Sequence, residues 1–224
     1  MNDATSPVLL SWSGGKDSAL ALHALRRDGV QVSGLLTSIT REYDRVSVHG
    51  VRRALLAEQA RQIGLPLYEV WLDANCTNQA YEAALLAALC DIRRLRLDVS
   101  RIAFGDLFLE DVRAYRQTLL ATSGFDPLFP IWGQDTASLA RQFIHDGFTA
   151  RLVCVDTMQL EPSFAGRIFD ADLLTDLPAE VDPCGERGEF HTFVSDGPAF
   201  SRPVACRAGR TVLRDGRFMY CDLE

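Results

Sequence analysis

The chain has 224 residues, a net charge of −7 and 47% hydrophobic residues, enough apolar surface for a full core and too much for a disordered chain. That acidity argues against general nucleic-acid or membrane-surface binding, which depends on surplus Lys and Arg. No apolar run is long enough to span a bilayer, the first residues lack the regions of a signal peptide, and the six cysteines are scattered without a C-x-x-C pair; a cytoplasmic protein with reduced thiols is expected.

In chain order, residues 8–10 read as a strand covered on both faces, followed by a glycine loop. Residues 19–27 place Leu20, Ala21, Ala24 and Leu25 on one helical face, and Gly29 ends the helix. A strand over 30–36 completes a βαβ crossover. The rhythm continues with a helix over 51–63, a strand over 67–72, a helix over 81–95, a buried strand over 102–104 and a helix over 111–122 that stops at Gly124. Such alternation predicts a doubly wound α/β parallel sheet. A soft boundary near 124 divides the chain into residues 1–124 and a smaller α+β part, 125–224. The latter shows a helix over 136–145, a strand over 152–155, a Pro- and Gly-punctuated stretch over 161–198, and a hairpin whose arms, 211–214 and 217–220, flank Asp215-Gly216.

The first candidate site is the loop Ser13-Gly14-Gly15-Lys16-Asp17-Ser18 between strand and helix. Gly14 and Gly15 allow the backbone to approach an anion, and the helix start beyond them presents N–H groups and a positive dipole end. Ser13 and Ser18 add hydroxyls, and Asp17 could orient the loop or hold Mg²⁺. Lys16 is the single Lys among 23 basic residues, placed where a compact ammonium can reach a phosphate. The loop is not a Walker A motif, because Leu10 stands at the first glycine position and Asp17 follows the lysine. The alternative is an ordinary tight turn capping a helix. SGGKDS resembles the loop of the N-type ATP pyrophosphatases, which cleave ATP between the α and β phosphates.

A longer resemblance follows. Val48-His49-Gly50, Glu58-Gln59-Ala60, Gly64-Leu65-Pro66, Phe104-Gly105-Asp106, the run 111–116, Pro130-Ile131-Trp132, the run 182–194 (DPCGERGEFHTFV) and Asp196-Gly197-Pro198 together resemble the diphthine–ammonia ligase family. The resemblance implies an adenine nucleotide alpha-hydrolase-type domain with a smaller C-terminal domain completing the cleft. It also implies ATP-dependent amide formation: a carboxylate is activated as an acyl-adenylate, ammonia displaces AMP, and pyrophosphate is released. ATP, Mg²⁺, ammonium and a carboxylate substrate are the expected ligands, with a homodimer left open. Arg187, His191 and Phe104-Gly105-Asp106-Leu107 depart from the pattern of the archaeal and eukaryotic enzymes and resemble a bacterial branch.

The residues speak for themselves too. Glu186 and Glu189 flank Gly188 in a turn-prone stretch leading into a strand over 190–195, where two carboxylates could hold Mg²⁺, position ammonium or act as a base; solvated loop acids are the alternative. Asp106 follows a buried strand, so its carboxyl falls in the crevice where α/β sheets bind ligands. Arg113 and Arg116 share a helical face suited to a carboxylate or phosphate, or to surface pairing. His49 and His191 are candidate proton-handling groups, and Cys184 is read as packing. Glu186, Glu189, His191 and Asp106 are thus the expected catalytic set, with the first three serving the acceptor or ammonia. Two competing functions are a tRNA-modifying ATP pyrophosphatase and a non-catalytic nucleotide-binding module.

Overall fold

A computed structural model describes residues 6–95 and 99–224. The chain opens with β1 (Val8–Ser11), α1 (Lys16–Arg27) and β2 (Val32–Thr40), then β3 (Arg45–Val46), α2 (Arg53–Ile63), β4 (Leu67–Leu72) and α3 (Asn78–Leu95). β5 (Arg101–Ala103), α4 (Glu110–Leu120) and β6 (Asp126–Leu128) follow. β2 pairs in parallel with both β1 and β4, β1 with β5, and β5 with β6, so five parallel strands run β4-β2-β1-β5-β6. β3 adds a short antiparallel pairing at the far end of β2. The chain winds outward from β1 in one direction and returns to its other side at β5, so the switch point lies between the ends of β1 and β5, where such sheets bind ligands.

Each face of this sheet has its own cover. Leu9, Leu36, Ile102 and Phe104 pack against Leu85, Leu89 and Ile92 of α3 and Leu119 and Leu120 from the end of α4. Val8, Leu10 and Leu35 face the other way, toward Leu20, Ala21 and Leu25 of α1 and Leu56 and Ala60 of α2. The apolar alternation of β1 serves both layers at once, which is why it shows no polar face.

The remainder is α5 (Thr136–His145), β7 (Thr149–Asp156), α6 (Ala171–Asp176), β8 (Phe190–Asp196), β9 (Ala208–Arg214) and β10 (Phe218–Leu223). Its antiparallel sheet has the order β8-β7-β10-β9. Phe143 stacks on Phe148 at 4.7 Å and meets Phe169 edge-on at 5.4 Å. These rings, with Phe193 and Val194, belong to the same apolar cluster as Val8, Leu10 and α1. Arg45 and Arg52 additionally clasp Asp222 of β10, Arg45 at 2.8 Å.

The structure departs from the sequence reading at several elements. α1 starts at Lys16, so Lys16, Asp17 and Ser18 belong to its first turn. β2 runs on to Thr40 because β4 pairs with it as far as Thr40. β6 was not foreseen because it contains Pro127; a proline is tolerated there because β6 is an edge strand. The short β3 and the six-residue α6, capped by the Asp170 side chain, carry too little periodicity to be read. The hairpin loop takes three residues, 215–217, since Phe218 pairs with Arg214.

Candidate active site

The loop after β1 is held from two sides. Gly14 has φ +79°, and a Cβ on it would lie 2.5 Å from Leu56 Cδ1, so only glycine fits. Its carbonyl accepts the Val194 N–H at 2.9 Å and Gln59 Nε2 at 3.0 Å. Gln59 is fully buried on the apolar face of α2; it also donates to the Val194 carbonyl at 2.6 Å and accepts the Trp12 indole N–H at 2.9 Å. The Lys16 N–H donates to Thr192 Oγ1 at 3.0 Å. β8 and α2 therefore set the loop in a fixed shape. Gly105, at the end of β5, completes the fit: a Cβ there would lie 2.7 Å from the Asp17 carbonyl.

Lys16 is 2% exposed, and its Nζ lies 2.6 Å from Asp17 Oδ1. Burial is the largest influence on its ammonium and opposes the charge, yet Asp17, Cys184 and Glu186 together outweigh it and raise the pKa above the ordinary lysine value. Ser18 donates to the Gly15 carbonyl at 2.8 Å, and the Ser13 hydroxyl lies 3.3 Å from the Gly15 N–H it accepts.

Two cavities open over this point. One, of about 550 Å³, spreads across the C-terminal ends of β1, β2, β4 and β5 and includes Trp12, Thr37, Ser38 and Leu72. The other, of about 270 Å³, contains Lys16, Asp17, Ser18, Gly105, Asp106, Glu186 and His191. They share Ser11, Ser13, His49, Phe104 and Arg116, so they form one cleft with two chambers. That size and shape suit a nucleoside with its phosphates beside Lys16.

The smaller chamber brings together most of the residues singled out in the sequence. Asp106 faces Arg116 at 3.4 Å; burial raises its carboxyl pKa, with Arg116 opposing. Glu186 Oε1 accepts the Leu107 N–H at 2.8 Å. Burial, helped by Asp17 and Asp106, pushes its carboxyl up to about 7, against the pull of the Leu107 N–H and of Lys16. His191 lies 4.5 Å ring to ring from His49; burial, then His49 and Lys16, lowers its pKa to about 3, so the ring is neutral at physiological pH.

Glu189 stands apart. It is 1% exposed, its two oxygens accept the Asp182 and Arg187 N–H groups at 2.9 Å each, and it is absent from the described walls of both chambers. Those bonds brace the loop carrying Glu186 and leave Glu189 off the described chamber walls. Arg113 is likewise absent from the described walls of both chambers, its guanidinium lying over the rings of Phe129 and Trp132 at 5.2 and 4.6 Å. Cys184 is buried and burial pushes its thiol up to about 12, as a packing residue requires. The six cysteines are all free.

Gln59, Thr192 and Trp12 carry the loop's geometry, yet sequence reasoning assigned them no role. Gln59 had left a trace: Leu56, Gln59, Ala60 and Ile63 fall on one helical stripe, so a polar side chain had to be buried there.

A glycine loop leading into a helix at the switch point of a doubly wound sheet, beside a nucleoside-sized chamber, is the arrangement of a nucleotide-binding α/β protein. The chain matches the diphthamide synthase N-terminal domain over residues 6–126 and the diphthamide synthase C-terminal domain over residues 135–220. It belongs to the diphthamide synthase family. Diphthine–ammonia ligase of Danio rerio is 24% identical over 220 residues, spanning 90% of this chain and 86% of that one. The Homo sapiens protein of the same name is 24% identical, spanning 90% and 83%, and that of Schizosaccharomyces pombe 25%, spanning 86% and 34%. These relatives are, by name, ligases that form C–N bonds. A solved structure described as a predicted subunit of tRNA methyltransferase from Methanocaldococcus jannaschii covers 86% of this chain and 98% of its own at 18% identity and a TM-score of 0.45, too slight a likeness to argue from. Among the described residues no helix is long and apolar enough to cross a membrane.

Proposed function

We propose that the protein is an ATP-dependent amide ligase that releases AMP and pyrophosphate. The supporting observation is that the Lys16 loop and Glu186, with its raised pKa, line one small chamber continuous with the larger one. In this reading residues 1–124 bind ATP, and residues 125–224 complete the cleft through Glu186, His191 and Thr192. The nucleoside occupies the larger chamber and Lys16 faces the phosphates. A carboxylate oxygen of the acceptor attacks the α-phosphorus, the bond to the β-phosphate oxygen breaks, and pyrophosphate leaves. Ammonia then attacks the acyl carbon and AMP leaves with the electron pair of the broken acyl–oxygen bond. The nitrogen arrives as ammonium and sheds protons on the way to an amide; ionised Glu186, with a pKa near neutrality, is suited to take one of them. Holding acceptor, ammonia and nucleotide in one desolvated pocket supplies proximity and charge stabilisation.

Mg²⁺ fits this chamber as a companion of ATP. Among the described residues no group of three or more His, Cys, Asp or Glu is arranged to hold a metal ion by itself. Asp17, Asp106 and Glu186 face the chamber with only Lys16 and Arg116 to balance them, so a triphosphate calls for an added cation. Asp17 and Asp106 would give it one or two oxygens and the phosphates the rest, the usual Mg²⁺ arrangement.

The acceptor in this reading is a small carboxylic acid or a protein side chain other than diphthine. Arg187, next to Glu186 in the chain, adds a positive charge to this loop, its guanidinium 5.9 Å from the Phe108 ring centroid, and a charge of that sign disfavours a cationic trimethylammonium substrate. Chromatography of products from labelled ATP tests the bond that breaks: AMP and pyrophosphate are expected, and ADP as the main product would refute the assignment. Incubation with ammonium and either diphthine-bearing elongation factor or a panel of carboxylic acids tests the acceptor; rapid turnover of the factor would overturn it.

A further inference from the structure

His49 occupies the point where the two chambers meet and lines both. The segment that carries it is held in an uncommon shape. Val48 has φ +68°, a conformation β-branched residues rarely adopt, and Tyr220 of β10 donates its hydroxyl to the Val48 carbonyl at 3.1 Å. The Tyr220 ring covers Gly50, where a Cβ would lie 2.7 Å from the ring. The second sheet thereby fixes the His49 ring against His191.

The His49 ring has the Thr192 backbone beside it, and its Nδ1 is buried with no partner. Burial, with Lys16 adding to it, lowers the pKa to about 4 and keeps the ring uncharged. In a neutral imidazole one nitrogen donates and the other accepts; the lone pair is assigned here to Nδ1, the buried nitrogen that has no partner. Thr37, 4% exposed on β2, has a hydroxyl with no partner and lines the larger chamber alone. Buried polar groups are normally satisfied, and these two belong to residues that line the same chamber.

We propose that His49 is a nucleotide-positioning residue whose Nδ1 accepts a hydrogen bond from a ribose hydroxyl, while Thr37 serves the base end. The ribose is the part of a nucleotide that joins base to phosphates, and His49 is on the boundary between the corresponding chambers. A lone-pair acceptor matches a hydroxyl and repels a phosphate oxygen, which excludes the other group within reach. The inference rests on the reading of this cleft as an ATP site.

Calorimetric binding of ATP, 2′-deoxy-ATP and 3′-deoxy-ATP to the wild-type protein and to His49→Phe and Thr37→Val tests it. The wild type is expected to bind one deoxy analogue about fivefold more weakly than ATP, the size of one net hydrogen bond. His49→Phe, which retains a ring against His191, should bind ATP about fivefold more weakly and no longer distinguish the analogues. Thr37→Val should weaken all three alike. His49→Ala carries the same expectation as the Phe variant if the phenyl ring is not accommodated. Discrimination that is absent from the wild type, or unchanged in a folded His49 variant, overturns the role of His49 while leaving ATP binding standing. A wild-type protein that binds no ATP overturns both.

Discussion

Replacing Lys16 with Ala removes the single ammonium of the chain from a site where it is almost wholly buried. A hydrogen bond to a charged group contributes about 1.5–3 kcal/mol, so losing the contact to a phosphate weakens ATP binding about 10- to 150-fold. The upper half of that range is expected here. Lys16 neutralises Asp17 at 2.6 Å, and its removal leaves that carboxylate facing an anionic ligand. Folding is affected less. The Asp17 side chain is 33% exposed, so water can solvate the freed carboxylate, and the principal loss is the packing of the buried lysine stem and the approach of its ammonium to the Phe190 ring, 5.8 Å to the centroid. With Mg²⁺ omitted, so that the metal role of Asp17 does not enter, adding Asp17→Asn to Lys16→Ala should recover part of the affinity by removing the repulsion. Calorimetry with ATP and a pyrophosphate-release assay read the effect, and a melting curve checks the fold. A folded Lys16→Ala protein with wild-type ATP affinity and turnover would refute the phosphate role of the loop.

If ionised Glu186 takes a proton from ammonium, kcat/KM should rise with pH up to about 7 and then level off, and Glu186→Gln should abolish that rise. The same carboxyl binds its proton more tightly folded than unfolded, so its contribution to stability is present below the unfolded value of 4.5 and is lost as pH rises to about 7. Melting temperatures across that window should therefore move in favour of Glu186→Gln. Gln59→Ala removes the side-chain partner of the Gly14 and Val194 carbonyls and of the Trp12 indole in a buried site, although Gly14 keeps the Val194 N–H; a loss of about 2–4 kcal/mol in chemical denaturation is expected, together with weaker ATP binding. Glu189→Gln turns an acceptor of two backbone N–H groups into a partial donor, costing about 1.5–3 kcal/mol and lowering amide formation through a displaced Glu186 while ATP affinity changes little. Unaltered denaturation of Glu189→Gln would show that it is not a brace.

Local patterning made the parallel sheet legible. The strand–loop–helix order around Gly14 and Gly15, the buried runs at Val8 and Ile102, and the glycines that stop helices near 29 and 64 act over a few residues, and each appears as an element end or strand in the structure, whereas the helix expected to stop at Gly124 already ends at Leu120. The loop's chemistry could be read in the same way, because the residues that would meet a phosphate are consecutive. Glu186 and Glu189, by contrast, are three residues apart and looked alike. The fold gives one of them a Leu107 N–H and a place in the chamber, and the other two amides of its own loop.

What the sequence determined by itself was therefore the class of sheet, the position of the glycine loop after the first strand and the lysine it leads into, since propensity, turns and motif spacing are short-range properties. Tertiary structure alone decided that β8 lies against that loop, that Gln59 and Thr192 hold it, that His49 and His191 stack, and that burial brings the Glu186 carboxyl to near neutrality. These depend on groups as far apart as Lys16 and Thr192 meeting in a low-dielectric interior, and pairing of that kind is a consequence of packing that no window of sequence contains.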